Sequence, residues 1–288
     1  MSTFAEVLGR PASAPDAVFR YGEQAGCVAD FWVARAEAAP GRARTPLVIF
    51  LHGGFWRAAY DRAHAAPLAT ALAAAGYAVC VPEYRRTGQP GGGWPGTFDD
   101  VAAAVDGLPE LVRRETAGAV RPGPVLLAGH SAGGHLALWA ASRCMLPAGA
   151  RWHARAPGLG GVIALAAVSD LAACHELDLG GGAAAELMGG GPDDHPDRYA
   201  LADPARLVPA GVPARLVHGS ADDRVPSSMS LAYAGRARAA GGDVRADILD
   251  GAGHFDLIDP MSEHWQAVAA AVAGLAAAVA PADLPSES

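Results

Sequence analysis

Short apolar runs, separated by polar turns and helical segments, recur along most of the chain. Continuous apolar runs of about four to eight residues are typical of parallel strands that helices cover on both faces. Such strands are predicted at residues 46–51, 77–81, 125–128, 162–168 and 214–219, with one more that ends at about residue 249. Residues 17–20 and 28–35 predict antiparallel strands that come first. The pattern predicts an α/β fold with a doubly wound, mostly parallel sheet and helices on both faces.

Helical segments lie between these runs. They are predicted at residues 64–75, 97–115 (with Thr97 as the cap), 136–141 and 267–280. Two stretches break the alternation: residues 84–96 are rich in Gly and Pro, and residues 171–212 are long, mixed and weakly helical. Long excursions at the carboxyl ends of strands are where this architecture builds substrate pockets. We therefore predict a lid at 171–212, with a solvated insertion of no function as the alternative.

The length and composition suit one large domain. With 288 residues and 51% apolar content, the chain can bury a sizeable core within a single α/β unit. We predict a single domain over residues 1–288, with a frayed polar tail at 281–288.

The stretch Gly129-His130-Ser131-Ala132-Gly133 stands between an apolar run and an apolar helical segment. It matches the G-x-S-x-G nucleophile elbow, in which the serine lies on a sharp turn from a strand into a helix. Residues two before and two after the serine crowd each other there unless they lack side chains. The stretch predicts Ser131 as the nucleophile of a serine hydrolase, with an ordinary glycine turn as the alternative.

A serine nucleophile needs a histidine that takes its proton and an acid that holds this histidine. With this elbow the chain order is serine, acid, histidine, each on a loop after a strand. Asp222 lies in the polar loop after the strand at 214–219 and is our candidate acid, with Asp223 and Asp170 as alternatives. His254 follows a later strand and has a glycine before it, so we predict that it is the base.

The segment His52-Gly53-Gly54-Phe55-Trp56 follows the strand at 46–51. Acyl transfer needs N–H donors aimed at the oxyanion of the transition state, and paired glycines let backbone N–H groups approach a ligand closely. We predict that Gly53, Gly54 and Phe55 form the oxyanion loop and that the Ala132 N–H is the second donor. His52 is predicted to anchor the loop by hydrogen bonds, with a catalytic role as the alternative. The alternative for the whole segment is a plain glycine loop.

Aromatic side chains on this loop and on the Gly- and Pro-rich stretch indicate a recognition surface. Phe55, Trp56 and Trp94 are the candidates for contact with an aromatic or acyl group of the substrate. Packing in the core is the alternative for these rings.

On these residues the chain resembles an α/β-hydrolase from about Phe19 to Ala280. The H-G-G-x-W pattern at 52–56 and the elbow at 129–135 resemble those of kynurenine formamidases, which implies an aryl formamide substrate such as N-formylkynurenine. Phe55 stands where hormone-sensitive-lipase-like esterases carry a third glycine, although related small esterases share the aromatic version. Prolyl-oligopeptidase-like hydrolases share the Asp222-x-x-Val225-Pro226 pattern, but this chain has no room for their propeller domain.

Charge and cysteine content exclude several classes. A net charge of −8 and the lack of a dense basic run predict no nucleic-acid partner. The cysteines lie far apart without C-x-x-C spacing, which favours reduced thiols in the cytosol and no metal site. The first residues do not resemble a secretory signal, and the apolar segment 267–280 is shorter than the roughly 20 residues of a membrane span. We expect a cytoplasmic protein with no membrane partner and no cofactor.

The sequence thus predicts a serine hydrolase that cleaves a short-chain acyl ester or an aryl formamide through an acyl-enzyme, with this small molecule as its partner. One alternative is a general carboxylesterase with no formamidase activity. The other is a non-catalytic ligand binder with a hydrolase fold, against which the presence of Ser131, Asp222 and His254 argues. Both a monomer and a homodimer remain open.

Overall fold

The computed structural model describes residues 1–35, 45–117, 120 and 122–279. The described residues form one eight-stranded sheet. Its strands are β1 (Ala17–Arg20), β2 (Val28–Trp32), β3 (Thr45–Leu51), β4 (Ala78–Pro82), β5 (Pro122–His130), β6 (Leu159–Leu165), β7 (Ala214–Gly219) and β8 (Val244–Leu249). The order across the sheet is β1-β2-β4-β3-β5-β6-β7-β8. β2 pairs antiparallel with β1 and β4, and the other neighbours run parallel. The predicted fold class is confirmed, and the predicted tail at 281–288 lies outside the described residues.

Two strands have the bounds that the sequence predicts, β1 and β7, whereas β2 ends earlier than predicted. β2 ends at Trp32 because the backbone beyond it finds other partners. The Val33 N–H donates to the Asp16 carboxylate, and the Arg35 N–H donates to the Ala73 carbonyl.

The helices are α1 (Phe4–Leu8), α2 (Ala66–Ala74), α3 (Gly96–Glu115), α4 (Ala132–Ala141), α5 (Leu171–Glu176), α6 (Ala183–Met188), α7 (Pro196–Ala202), α8 (Ser228–Ala239) and α9 (Trp265–Ala278). The segment predicted as a helix from residue 64 begins as the 3₁₀ turn Arg62–Ala65. Thr97 does not cap α3, since its hydroxyl donates to the Arg85 carbonyl instead. The sequence pattern predicts neither α1 nor α8.

Among the described helices, none combines the length and apolarity that crossing a bilayer requires.

Both faces of the sheet are buried, which explains the continuous apolar runs. Leu47, Ile49 and Leu51 of β3 pack in the layer that contains α3 and α4. Val48 and Phe50 point the other way, into the layer that contains α2 and α9. Successive side chains alternate between faces in a strand, so both sets must be apolar when helices cover both sides. The carboxyl ends of β3, β5, β7 and β8 meet along one edge, where the candidate site lies.

The segment predicted as a lid contains three short helices, α5 to α7. Arg57, just after the predicted oxyanion loop, ties this segment to the site. Its Nε lies 2.7 Å from Glu186 Oε2, and its guanidinium also donates to the Gly181 carbonyl at 2.9 Å. The role of 171–212 as a lid stays a prediction.

A buried carboxylate fixes the start of this segment. Asp203, 1% exposed, accepts hydrogen bonds from the backbone N–H groups of Leu171 and Ala205, both at 3.1 Å. Burial and the negative charge of Asp170 raise the pKa of Asp203 to about 6, and the N–H donors offset only part of this effect.

This shift predicts a pH-dependent stability. The unfolded pKa of an aspartate is about 3.9, so the contribution of Asp203 to the free energy of unfolding is full below about pH 4 and is lost as the pH rises through about 6. Relative to Asp203→Asn, which does not titrate, the wild type is expected to lose about 3 kcal/mol between pH 4 and 7. Urea unfolding at each pH measures the difference. Asp193→Asn, at an exposed position of the same segment, serves as the control; a pH-independent difference for Asp203→Asn would contradict the prediction.

Candidate active site

Ser131 joins the end of β5 to the start of α4 with φ 56° and ψ −118°. Residues other than glycine rarely adopt a positive φ. A Cβ on Gly129 would lie 2.2 Å from the Gly133 carbonyl oxygen, and one on Gly133 would lie 2.0 Å from the Leu51 carbonyl oxygen. Only glycine fits at these two positions. The strand, sharp turn and helix therefore lie where the G-x-S-x-G pattern places them.

The structure brings His254 and Asp222 together. His254 follows β8 and a short turn, and Asp222 lies in the loop after β7. The distance from His254 Nδ1 to Asp222 Oδ2 is 2.7 Å, and the two side chains are 4% and 0% exposed. Since β7 and β8 are parallel neighbours, the loops at their carboxyl ends meet at the same edge of the sheet. The proton on Nδ1 donates to the carboxylate, which leaves Nε2 as the free acceptor.

Asp222 is also held by its own loop. Its Oδ1 accepts hydrogen bonds from the N–H groups of Arg224 at 2.8 Å and Val225 at 2.9 Å. The two alternative acids have other partners: Asp170 caps α5 and pairs with Arg236 at 2.6 Å, whereas Asp223 is 77% exposed and lies 3.4 Å from Arg224. Neither forms the contact with His254 that Asp222 forms.

A second histidine faces Asp222, which sequence reasoning missed. His218, at the end of β7, is fully buried, and its Nε2 lies 3.2 Å from Asp222 Oδ2 and 2.9 Å from the Val225 carbonyl oxygen. Its Nδ1 lies 2.7 Å from Ser230 Oγ. This network assigns the proton to Nε2, which donates, while Nδ1 accepts from the serine hydroxyl. The His218-Gly219 pair that ends the strand before the acid loop is the signal that could have indicated it.

These contacts set the charge of Asp222. Burial raises the pKa of Asp222, but the hydrogen bonds from His218, His254 and Val225 lower it by more than burial raises it. The pKa of Asp222 therefore lies well below the ordinary value. Asp222 is therefore a carboxylate at neutral pH. A fixed negative charge beside His254 favours the imidazolium that forms when this histidine takes a proton.

Ser131 and His254 line one cavity of about 600 Å³. No hydrogen bond between Ser131 Oγ and His254 is present among the described residues, and such contacts commonly tighten only when substrate is bound. The cavity is also lined by Gly54, Phe55, Tyr60, His64, His130, Phe255, Asp223 and Arg224, and by residues 1–5. Its volume is that of a small-molecule site.

Two of the predicted recognition residues lie elsewhere. Trp56 is fully buried, with its ring edge-on to His135 at 5.2 Å. Trp94 packs against Phe98 at 5.3 Å and Trp152 at 4.9 Å. Neither tryptophan is among the described residues that line the cavity, which favours the packing alternative for both rings. Trp56 belongs to the core, and the half-buried Trp94 packs against it, as large aromatic rings gain much from burial.

The predicted oxyanion loop lies beside the nucleophile. A Cβ on Gly53 would lie 3.3 Å from Ser131 Cβ, which shows how closely the two backbones approach. Within the described part of the chain, no acceptor is assigned to the N–H groups of Gly53, Gly54, Phe55 or Ala132. Among the described residues, Gly54 and Phe55 line the cavity, whereas Gly53 and Ala132 are not part of its lining. The role of these N–H groups as oxyanion donors stays a prediction.

Buried contacts of His52 with Glu83 and Tyr84 anchor this loop, as predicted for His52. His52 Nε2 lies 2.9 Å from Glu83 Oε1, and the His52 ring stacks on Tyr84, whose hydroxyl donates to the His52 carbonyl at 2.7 Å. Arg86 Nε lies 3.2 Å from the same Glu83 oxygen. Burial raises the pKa of Glu83, but His52 and Arg86 lower it more, so that the carboxyl stays ionised.

The histidines that line the cavity besides His254 are held neutral. Burial, with the neighbouring His254, keeps the pKa of His130 well below its ordinary value, and its Nε2 lies 2.9 Å from the His254 carbonyl oxygen. Burial likewise lowers the pKa of His64 to about 4. Among the described residues, no three His, Cys, Asp or Glu side chains converge as a metal site would require.

The BD-FAE family model matches residues 37–236, which is more than half of the chain. The chain belongs to the BD-FAE family. The matched stretch includes Ser131 and Asp222, and His254 follows it. A search of curated proteins found no significant match.

Solved structures share the fold of this BD-FAE chain. A truncated carbohydrate esterase from gut microbiota is 19% identical with a TM-score of 0.70, over 91% of this chain and 99% of the other. The propionate-bound esterase Est2 of Thermogutta terrifontis is 20% identical with a TM-score of 0.68, over 91% and 94%. The same esterase phosphoramylated by tabun is 21% identical with a TM-score of 0.67, over 91% and 94%. These similarities confirm the α/β-hydrolase fold.

Substitution of the three candidate acids tests the assignment of Asp222. Asp222→Asn is expected to lower kcat by about 10³- to 10⁴-fold, because the amide cannot hold His254 in the required tautomer. Asp223→Asn and Asp170→Asn are expected to retain most activity. Initial rates with p-nitrophenyl acetate measure the effect, and thermal melting checks that each variant is folded. A small loss in Asp222→Asn beside a large loss in either of the others would refute the assignment.

Proposed function

We propose that this protein is a serine hydrolase that cleaves a short-chain ester through an acyl-enzyme. The observation that carries the proposal is a single cavity that contains Ser131 on its strained turn and His254 held by the Asp222 carboxylate. Nucleophile, base and orienting acid are the groups that this reaction needs. Membership in the BD-FAE family and structural similarity to proteins described as esterases support the same reaction.

The first half-reaction forms the acyl-enzyme. Ser131 Oγ attacks the carbonyl carbon of the substrate while His254 Nε2 takes the hydroxyl proton, and the carbonyl oxygen becomes an oxyanion. The imidazolium then gives this proton to the leaving oxygen or nitrogen, and the bond from carbon to that atom breaks. In the second half-reaction, water adds to the acyl carbon with His254 as base, and the acid product leaves as Ser131 regains its proton.

Backbone N–H groups stabilise the oxyanion in this proposal. The donors are the Ala132 N–H, just after the nucleophile, and N–H groups of Gly53, Gly54 and Phe55 on the facing loop. The rigid anchoring of His52 by Glu83 and Tyr84 supports this role, because preorganised donors stabilise developing charge without rearrangement. Loss of one such donor typically costs about 10²- to 10³-fold in kcat.

Phe55 limits the size of the acyl group that the cavity accepts. It lines the cavity, and a Cβ on Gly180 of the predicted lid would lie 2.8 Å from its ring, so the ring packs closely against that segment. Beside the oxyanion donors, such a ring leaves room for a short acyl group. We therefore propose acetyl-sized esters as the first substrate class. The H-G-G-x-W pattern at 52–56 supports an aryl formamide such as N-formylkynurenine as the second.

The nucleophile is tested with a fluorophosphonate probe and with single variants. Ser131 is expected to react with the probe, as the Thermogutta terrifontis esterase does with tabun. Ser131→Ala and His254→Ala are each expected to lose nearly as much turnover as the double variant, since the pair acts as one unit. Mass spectrometry locates the label, and rates are measured with p-nitrophenyl acetate. A folded wild type that neither reacts with the probe nor hydrolyses the ester would support the non-catalytic binder instead.

The acyl preference is tested with p-nitrophenyl esters of increasing length. We expect kcat/KM to fall steeply beyond about four carbons, by about 1 to 3 kcal/mol for each badly placed methylene. Phe55→Gly should shift the preference towards longer chains. The backbone tolerates this change, since Phe55 has φ 49°, which glycine adopts without strain.

The formamide proposal is tested by measuring the conversion of N-formylkynurenine to kynurenine and formate with the same enzyme. If the aryl formamide is the better substrate, N-formylkynurenine gives the higher kcat/KM than p-nitrophenyl acetate. A wild type that prefers octanoyl esters and does not cleave N-formylkynurenine would rule out both the short-acyl proposal and the formamide.

A further inference from the structure

The first ten residues, here called the N-terminal cap, form part of the wall of the candidate active site. Residues 1–5 line the same cavity as Ser131 and His254. The family match begins at residue 37, so the cap is outside the part of the chain that the family model describes.

Two carboxylates that follow His254 hold the cap in place. The Ser2 N–H donates to Asp256 Oδ1 at 2.5 Å, and the Arg10 guanidinium lies 2.6 Å from Asp259 Oδ2. The Ser2 hydroxyl donates to the same Asp259 oxygen at 2.6 Å, and Val7 is fully buried against the body of the protein. Several independent contacts therefore fix the position of the cap.

One of these carboxylates also belongs to the loop of the proposed base. Asp256 Oδ2 accepts a hydrogen bond from the Gly253 N–H at 2.7 Å, directly before His254. The same side chain thus binds the cap through one oxygen and the His254 loop through the other. The position of the cap is coupled to the loop that presents the imidazole to the cavity.

Phe4 is the side chain through which the cap reaches other cavity walls. Its ring centroid lies 5.2 Å from that of Tyr60, 5.5 Å from that of His64 and 5.7 Å from that of Phe255. All four residues line the cavity, and His64 is neutral at pH 7. Together they form an uncharged, ring-lined wall. Leu8, on the same helix, is 51% exposed and does not line the cavity.

We propose that the N-terminal cap is part of the substrate-binding site and that Phe4 limits the size of the apolar group that the cavity accepts. The proposal rests on the ester hydrolysis proposed above. The ring fills space at one wall, so its removal enlarges the cavity there. Because Arg10 helps to hold the cap, loss of Arg10 weakens the same wall without touching the ring.

The test compares Phe4→Ala with its matched control Leu8→Ala. Two substrate series are used: p-nitrophenyl esters from acetate to octanoate, and acetate esters of p-nitrophenol and 1-naphthol. For Phe4→Ala we expect the ratio of kcat/KM for the bulky over the small ester to rise about 10-fold in at least one series. The series that responds identifies which half of the ester faces Phe4. Leu8→Ala should leave both ratios as in the wild type.

Arg10→Ala provides a second variant that keeps the ring. The same ratio is expected to rise, by less than in Phe4→Ala, and thermal melting confirms that each variant is folded.

Unchanged ratios in Phe4→Ala, or an equal change in Leu8→Ala, would overturn the role of the cap. Fluorophosphonate labelling of the wild type distinguishes failure of the cap proposal from failure of the proposed function. A wild type that is labelled and hydrolyses esters while the Phe4→Ala ratios stay flat refutes the cap alone; one that is neither labelled nor active refutes the proposed function and the cap with it.

Discussion

The positive φ of Ser131 is the constraint on which the rest of the candidate site depends. Such a conformation costs on the order of 1 to 3 kcal/mol and persists only where the surrounding structure enforces it. Both neighbouring strands do so. The Ser131 N–H donates to the Leu165 carbonyl at the end of β6, and Gly133 packs against the Leu51 carbonyl at the end of β3. The loop after β3, which carries the proposed oxyanion donors, is thereby held against the nucleophile.

Buried charges surround the cavity, and each carboxylate is compensated. Asp222 has two histidines and two backbone N–H groups, and Glu83 has His52 and Arg86. A buried carboxylate without such partners would take up a proton, because desolvation penalises its charged form. Asp222 contacts His254, and Glu83 contacts His52 at the start of the proposed oxyanion loop. Apart from Asp223 and Arg224, most of the described side chains that line the cavity are uncharged, which suits the apolar ester proposed as substrate.

The cavity is assembled from segments that lie far apart in the chain. The cap comes from the first ten residues, the proposed oxyanion loop follows β3, the proposed nucleophile follows β5, and the proposed acid and base follow β7 and β8. Parallel strands bring the last four together, since their carboxyl ends meet at one edge of the sheet. The cap joins them through hydrogen bonds and an ion pair to the side chains of Asp256 and Asp259. Its inclusion is thus a property of tertiary packing.

The sequence by itself determined the fold class and the order of the candidate triad. Strands buried on both faces leave continuous apolar runs, and the elbow leaves two glycines around Ser131, so both features are local and readable. Only the tertiary structure decided which distant side chains meet. It buried Trp56 in the core and packed the half-buried Trp94 against it. It directed the Thr97 hydroxyl to the Arg85 carbonyl, and it brought His218 to Asp222 and Phe4 to the cavity. Apolar and polar patterns report how deeply a residue is buried, but the choice of partner depends on how helices and loops pack across the sheet.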